Sequence, residues 1–159
     1  MGTCCSTEKA PDVVFTTEFS EVPALAEPLL VRLLNATNIP ALDWDSPSDV
    51  YVKAQLVCPE TVKAPISVAQ WPVKWDVTNP MWDSVRAFGT APPPQNAHLR
   101  LQFYDYDETN AHDFIGHMDV AVGALAKADE DVTLPIVLEK SARKRLTKNS
   151  VPTSVTLRR

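Results

Sequence analysis

The sequence predicts an all-β protein, an eight-stranded antiparallel β-sandwich, and three observations carry that expectation. From Leu29 onward, short apolar runs recur at sandwich-like spacing, separated by turns rich in Pro, Asp and Asn. Within His98–Asp105 the alternation is clean: Leu99, Leu101 and Phe103 face one way, Arg100, Gln102 and Tyr104 the other. Fourteen prolines against four glycines suit a loop-rich β protein. At 159 residues the chain has room for one domain and a tail.

Residues 1–27 have weak periodicity, several acids and scattered prolines. They read as a flexible tether with Val13–Phe19 as a candidate short strand, and residues 28–159 read as the folded domain. The expected strands are Leu29–Leu34, Val50–Val57, Val68–Asp76, Trp82–Phe88, His98–Asp105, Phe114–Val122, Val132–Leu138 and Thr153–Arg158. Gly123–Asp131 suits a helical turn. Cys58 lies in an apolar run and reads as a small buried hydrophobe.

Two acidic clusters stand at strand ends, Asp43, Asp45 and Asp49 in one, Asp105, Asp107, Glu108 and Asp113 in the other. Carboxylates gathered at one end of a sandwich repel each other unless a positive charge sits among them. A hard cation that takes many oxygen ligands, Ca²⁺, is the natural candidate. The run from Asp105 starts like an EF-hand loop but fails as one. Its sixth position is Asn110 instead of Gly, and its twelfth is Gly116 where a bidentate Glu belongs. Asp45, Asp76 and Asp83 read as residues that cap or start turns.

The chain resembles a C2 domain in several motifs that fall in the family's order. Asn38-Ile39-Pro40-Ala41-Leu42-Asp43 and Ser48-Asp49-Val50-Tyr51-Val52-Lys53 resemble its first loop and the strand after it. Thr78-Asn79-Pro80-Met81-Trp82-Asp83 resembles its Asn-Pro turn, and Leu99–Gly116 its strand, Asp-x-Asp loop and Asp-x-Ile-Gly. The match covers roughly residues 29–138. It implies that Asp43, Asp49, Asp105, Asp107 and Asp113 bind Ca²⁺, with Asn110 in an auxiliary position and Tyr106 offering its backbone carbonyl. It implies an anionic phospholipid membrane as partner. The final strand beyond Leu138 points to the permuted, phospholipase-type topology; if Val13–Phe19 is a strand, the other topology applies. Val50 replaces the usual Pro after Asp49. Only Lys53 and Lys74 remain where a lysine cluster often reads phosphoinositides, which argues against that ligand.

The N-terminus, Met1-Gly2-Thr3-Cys4-Cys5-Ser6, fits N-myristoylation at Gly2, with Cys4 and Cys5 as palmitoylation candidates. One acyl chain binds only marginally and reversibly, so a second signal is expected. No run approaches the ~18 apolar residues of a membrane span. The signal-peptide layout is missing, so the cytoplasmic face of a membrane, the plasma membrane, with a cytosolic pool, is the expected location. Trp44, at the tip of the first acidic loop, either packs on its own domain or wedges into the headgroup interface.

The net charge of −5 hides an asymmetry: seven of the fifteen basic residues and none of the twenty acids lie from Lys140 onward. The run Arg143-Lys144-Arg145-Leu146-Thr147-Lys148 is expected to be a solvated loop that could touch anionic lipid. An acidic chain without aromatic-basic interleaving is a poor nucleic-acid binder. His98, His112 and His117 have no zinc spacing, and neither a Gly-x-Ser-x-Gly elbow nor a phosphate-cradling glycine loop occurs. The expected function is therefore calcium-dependent phospholipid-membrane binding by a protein anchored through its acylated N-terminus, with no enzyme activity and no small-molecule substrate. The rival is an adaptor whose sandwich recruits a protein partner while calcium is structural.

Overall fold

A computed structural model describes residues 27–43, 45–59, 64–89, 92–125, 130–146 and 152–159. The expected tether, but for its last residue, lies outside these, and with it Gly2, Cys4, Cys5 and the candidate strand Val13–Phe19; so does Trp44.

The strands are β1 (Leu29–Thr37), β2 (Val50–Val57), β3 (Ser67–Lys74), β4 (Met81–Phe88), β5 (His98–Asp105) and β6 (Asp113–Ala121). After a 3₁₀ turn at Val122–Leu125 come β7 (Asp131–Pro135), β8 (Val137–Leu138), the helical turn α1 (Lys140–Arg143) and β9 (Ser154–Arg158). They form two antiparallel sheets, ordered β4-β1-β9-β7 and β3-β2-β5-β6-β8. The last strand lies beside the first, as the permuted topology requires.

The core follows the period-two pattern. Leu29, Val31 and Leu33 of β1 and Val155 and Leu157 of β9 face Val52, Ala54 and Leu56 of β2 and Leu99, Leu101 and Phe103 of β5; all are buried. Cys58 is buried as expected.

Where β3 and β4 pass between the sheets, two indoles stitch the edges together. Trp71 Nε1 donates to Ser84 O at 2.9 Å and Trp82 Nε1 to Pro72 O at 2.8 Å. A buried indole needs a partner for its N–H, and a free edge carbonyl supplies it.

Three expectations need correction. The run Val132–Leu138 is not one strand: β7 joins the four-stranded sheet and β8 the five-stranded one. Pro135 has no N–H for a ladder, and the chain switches sheets there, with Ile136 N donating to Thr153 O at 3.0 Å. There are thus nine strands among the described residues. The helical turn placed at Gly123–Asp131 begins a residue earlier and ends at Leu125 among the described residues. The basic run is no plain loop over its described residues: Arg143 belongs to α1 and residues 144–146 turn on from it.

Gly116 seats β8 on β6. A Cβ there would come within 2.5 Å of Val137 O, so only glycine allows this approach.

Candidate metal centre

One end of the sandwich collects both acidic loops. Val50 at the start of β2 pairs with Asp105 at the end of β5, which pairs in turn with Asp113 at the start of β6. Asp49, Asp105 and Asp113 therefore form a row across three neighbouring strands. Asp43 lies in the β1–β2 loop and Asp107 in the β5–β6 loop above that row.

The first loop is braced from several sides. Asn38 takes a left-handed conformation (φ 55°), and its N–H donates to Asn79 Oδ1 at 2.9 Å. This is a second use of the Asn-Pro turn: its amide holds the exit from β1. Buried Ser48 accepts from Leu42 N at 3.1 Å and donates to Pro40 O at 3.0 Å, closing the loop that carries Asp43.

Asp49 ties three loops together. Its N–H donates to Asp105 Oδ1 at 2.7 Å, its carbonyl accepts from Tyr106 N at 2.8 Å, and its Oδ1 accepts from Asp76 N at 2.6 Å. Asp76 enters through its backbone, in a left-handed turn with φ 53°, consistent with its reading as a turn residue. Asp83 departs from that reading. It stands inside β4, and its carboxylate pairs with Arg32 Nε at 2.8 Å.

The electrostatics are those of crowded acids. Burial pushes the Asp105 carboxyl above its usual range, and the charges of Asp43 and Asp49 add to this. The Asp49 N–H partly offsets the rise; the Ser48 hydroxyl would oppose it only by turning its single proton from Pro40 O to this carboxylate. Asp43 is raised as well, by burial first and then by Asp107, Asp49, Asp45 and Asp113. The four last-named charges all bear on one carboxylate, so the loops do meet.

One atom stands out. Asp105 is only 3% exposed, and its Oδ2 is buried without a hydrogen-bond partner. A buried carboxylate oxygen with no partner is costly, and a cation would remove that cost. The donor set around it is all oxygen, which fits Ca²⁺ and not zinc. Among the described residues, however, no three acidic, His or Cys side chains are already gathered tightly enough to enclose an ion. Two of the inner oxygens, on Asp49 and Asp105, are turned to backbone N–H groups, and the outer carboxylates repel one another.

Tyr106 has its peptide fixed beside Asp49, while Asn110 is exposed in the β5–β6 loop.

Sequence reasoning missed the aromatic wall beside the acids. Trp75 is 63% exposed and stands edge-on to Tyr106, 5.5 Å between ring centres. Tyr106 packs on His112 at 4.7 Å, and His112 Nδ1 lies 2.6 Å from Tyr51 Oη. Tyr51 stacks on Tyr104 at 5.4 Å, with Lys53 Nζ 5.7 and 5.0 Å from the two ring centres. Burial, then the neighbouring Tyr104, raises the Tyr51 hydroxyl pKa. The outward phase of Tyr51 and Tyr104 in adjacent strands was a usable signal; the approach of Trp75 from another loop was not.

No helix among the described residues is long and apolar enough to cross a membrane.

Known proteins resemble this chain in both sequence and shape. Human synaptotagmin-9 is 35% identical over 98 residues, covering 59% of this chain and 18% of that protein. Human synaptotagmin-10 is 33% identical over 93 residues, covering 58% and 17%. The chain thus spans under a fifth of the length of these curated relatives. A C2 domain of plant extended synaptotagmin 1 superposes with a TM-score of 0.62 at 20% identity, covering 85% of this chain and 92% of that one. Human GIVD cytosolic phospholipase A2 gives 0.60 at 20%, over 86% of this chain and 16% of its own. At that identity the two structures speak to the fold alone. Residues 27–135, more than half of the chain, match the profile of the C2 domain. Two sheets in the permuted order, the acidic loops at one end and this match agree: the chain belongs to the C2 domain family.

Proposed function

We propose that this protein binds phospholipid membranes in a calcium-dependent manner, on the cytoplasmic face and with an acylated N-terminus as tether. The observation that carries the reading is the buried, partnerless Oδ2 of Asp105 at the meeting point of three loops. Ca²⁺ would be held by Asp43, Asp49, Asp105, Asp107 and Asp113, with Asn110 and the Tyr106 carbonyl as auxiliary oxygens. When bound, it supplies positive charge and open coordination positions for lipid phosphate oxygens.

The chain's own residues do the rest. Asp49 holds the three loops in register through its backbone and carboxylate. Trp44 and the exposed Trp75 are the indoles suited to the headgroup interface. Gly2, with Cys4 or Cys5, would give the two acyl chains that stable anchoring needs, most simply at the plasma membrane.

Calorimetric titration with Ca²⁺, with and without anionic vesicles, tests this. Heat of binding that strengthens when vesicles are present supports it. Binding of Ca²⁺ with no vesicle association would favour the adaptor reading instead, and no Ca²⁺ binding at all would refute the calcium reading.

A further inference from the structure

The calcium reading leaves one strongly charged element unused: the connection from β8 to β9. Its position follows from the strand pairing. Thr37 at the end of β1 lies opposite Ser154 at the start of β9, so the connection arrives at the end of the sandwich where the acidic loops stand. Three contacts fix it there. Glu139 N donates to Ile115 O at 2.8 Å, two residues on from Asp113. Arg145 Nη2 donates to Leu42 O at 3.3 Å, beside Asp43. Thr153 Oγ1 donates to Asn38 O at 2.9 Å.

Residues 139–146 of this connection form an ordered basic arm. Ala142 is fully buried, and in a helical turn side chains two apart point to opposite sides. Lys140 and Lys144, four apart, therefore share the outward face, and both are exposed, as are Arg143 and Arg145. Arg143 spends one donor on Leu138 O at 3.2 Å, and Arg145 one on Leu42 O; a guanidinium has further N–H groups to spare. None of the four forms an ion pair among the described residues, whereas Arg32, Arg100 and Arg158 each hold an aspartate. Glu139 is the one acid adjoining the arm in sequence, and no Asp or Glu follows it.

We infer that this arm is a second contact for an anionic phospholipid bilayer, set beside the calcium loops and needing no calcium of its own. The inference rests on the membrane reading above and adds a distinct source of affinity to it. Without Ca²⁺ the acids of the two loops oppose the arm's field within a Debye length of about 8 Å. Once those acids are compensated, four exposed cations face the same surface as the loops. The arm then selects for net negative lipid charge, which phosphate coordination at the loops alone does not require.

The test uses the full chain, wild type and Lys140→Gln/Lys144→Gln, with saturating Ca²⁺ and phosphatidylcholine/phosphatidylserine vesicles. Two lost charges should weaken binding about thirtyfold at low salt. The gap should narrow as salt is raised. Ca²⁺ affinity without lipid should not fall, since removing nearby positive charge can only favour a cation, and the melting temperature should hold, since both lysines are exposed and hold no ion pair among the described residues. Lys140→Arg/Lys144→Arg, which keeps the charge, should retain the affinity. Equal binding by the Gln variant and wild type overturns the inference, as does a loss of equal size in high salt or in the Arg variant. Wild-type protein that binds Ca²⁺ but no vesicle refutes the membrane reading itself, an outcome separable from failure of the arm alone.

Discussion

Replacing Asp105 by Asn should move stability in opposite directions with and without calcium. The carboxylate is buried, one oxygen bonded to the Asp49 N–H and the other without a partner, and it faces the charges of Asp43 and Asp49. Asn keeps the size and can still accept from Asp49, but removes the charge. An unsatisfied buried polar group costs about 1–3 kcal/mol. The new amide NH₂ has no evident acceptor either, so the lower bound is the safer figure. At about 2–4 °C per kcal/mol for a domain of this size, the calcium-free melting temperature should rise by roughly 2–4 °C. With Ca²⁺ at a hundred times its dissociation constant, wild type should gain about 2.7 kcal/mol and roughly 5–11 °C. The variant should gain much less, so the order of the two proteins reverses. Thermal unfolding by circular dichroism, in chelator and in Ca²⁺, reads both signs. A variant less stable than wild type in chelator, or equally stabilised by Ca²⁺, would refute the reasoning.

Two further outcomes follow from the same site and one from the N-terminus. Asp43 and Asp105 are raised in the folded state, so their contribution to calcium-free stability is full below the ordinary carboxylate range and is lost as pH rises through the raised values. The advantage of Asp105→Asn over wild type in calcium-free buffer should thus be largest near neutral pH and vanish near pH ~4; a gap independent of pH would exclude a charge origin. Trp44→Ala and Trp75→Ala should each weaken calcium-dependent vesicle binding, with the loss persisting in high salt because apolar burial is little screened, and leave lipid-free Ca²⁺ affinity nearly unchanged; equal vesicle binding by mutant and wild type would make both ordinary surface residues. Gly2→Ala should shift the protein from membrane to cytosol in resting cells, and Cys4→Ser/Cys5→Ser should weaken retention; mass spectrometry of native material with Met1 retained and unmodified would rule out the anchor.

What the sequence made legible, and what it did not, divides along physical lines. The core strands were readable because one buried face imposes a period of two: Leu99, Leu101 and Phe103 are buried and Arg100 is exposed, as the alternation required. The sheet switch after Pro135 was not readable as such, because a single apolar run does not say which sheet each residue joins. The acidic loops were readable as a family spacing, and strand pairing brings Asp49, Asp105 and Asp113 into one row. Their internal wiring was hidden. Asp76 entered through its backbone and Asp83 left for Arg32, since a short carboxylate in a turn-like context can serve the main chain, a partner charge or solvent equally well. Trp75 was not singled out because it fell inside the expected strand Val68–Asp76; β3 ends at Lys74, the chain turns at Asp76 (φ 53°), and the indole is left outside, against Tyr106.

The basic arm illustrates the same limit from the other side. A charge run in sequence carries no direction, and its usual fate is a solvated loop. What changes its meaning is register: because β9 runs beside β1, the run from Lys140 must return to the end where Asp43 and Asp113 stand. Lys140, Arg143, Lys144 and Arg145 and a cluster of aspartates, far apart in the chain, thereby become neighbours of opposite sign at one end. With seven acids in the two clusters against four cations on the arm, such a face is net negative while its acids are uncompensated. Divalent charge added to them moves it toward positive. A net charge of −5 then describes the chain poorly: the potential that a membrane meets is set by this one end, and its sign depends on what the five aspartates hold.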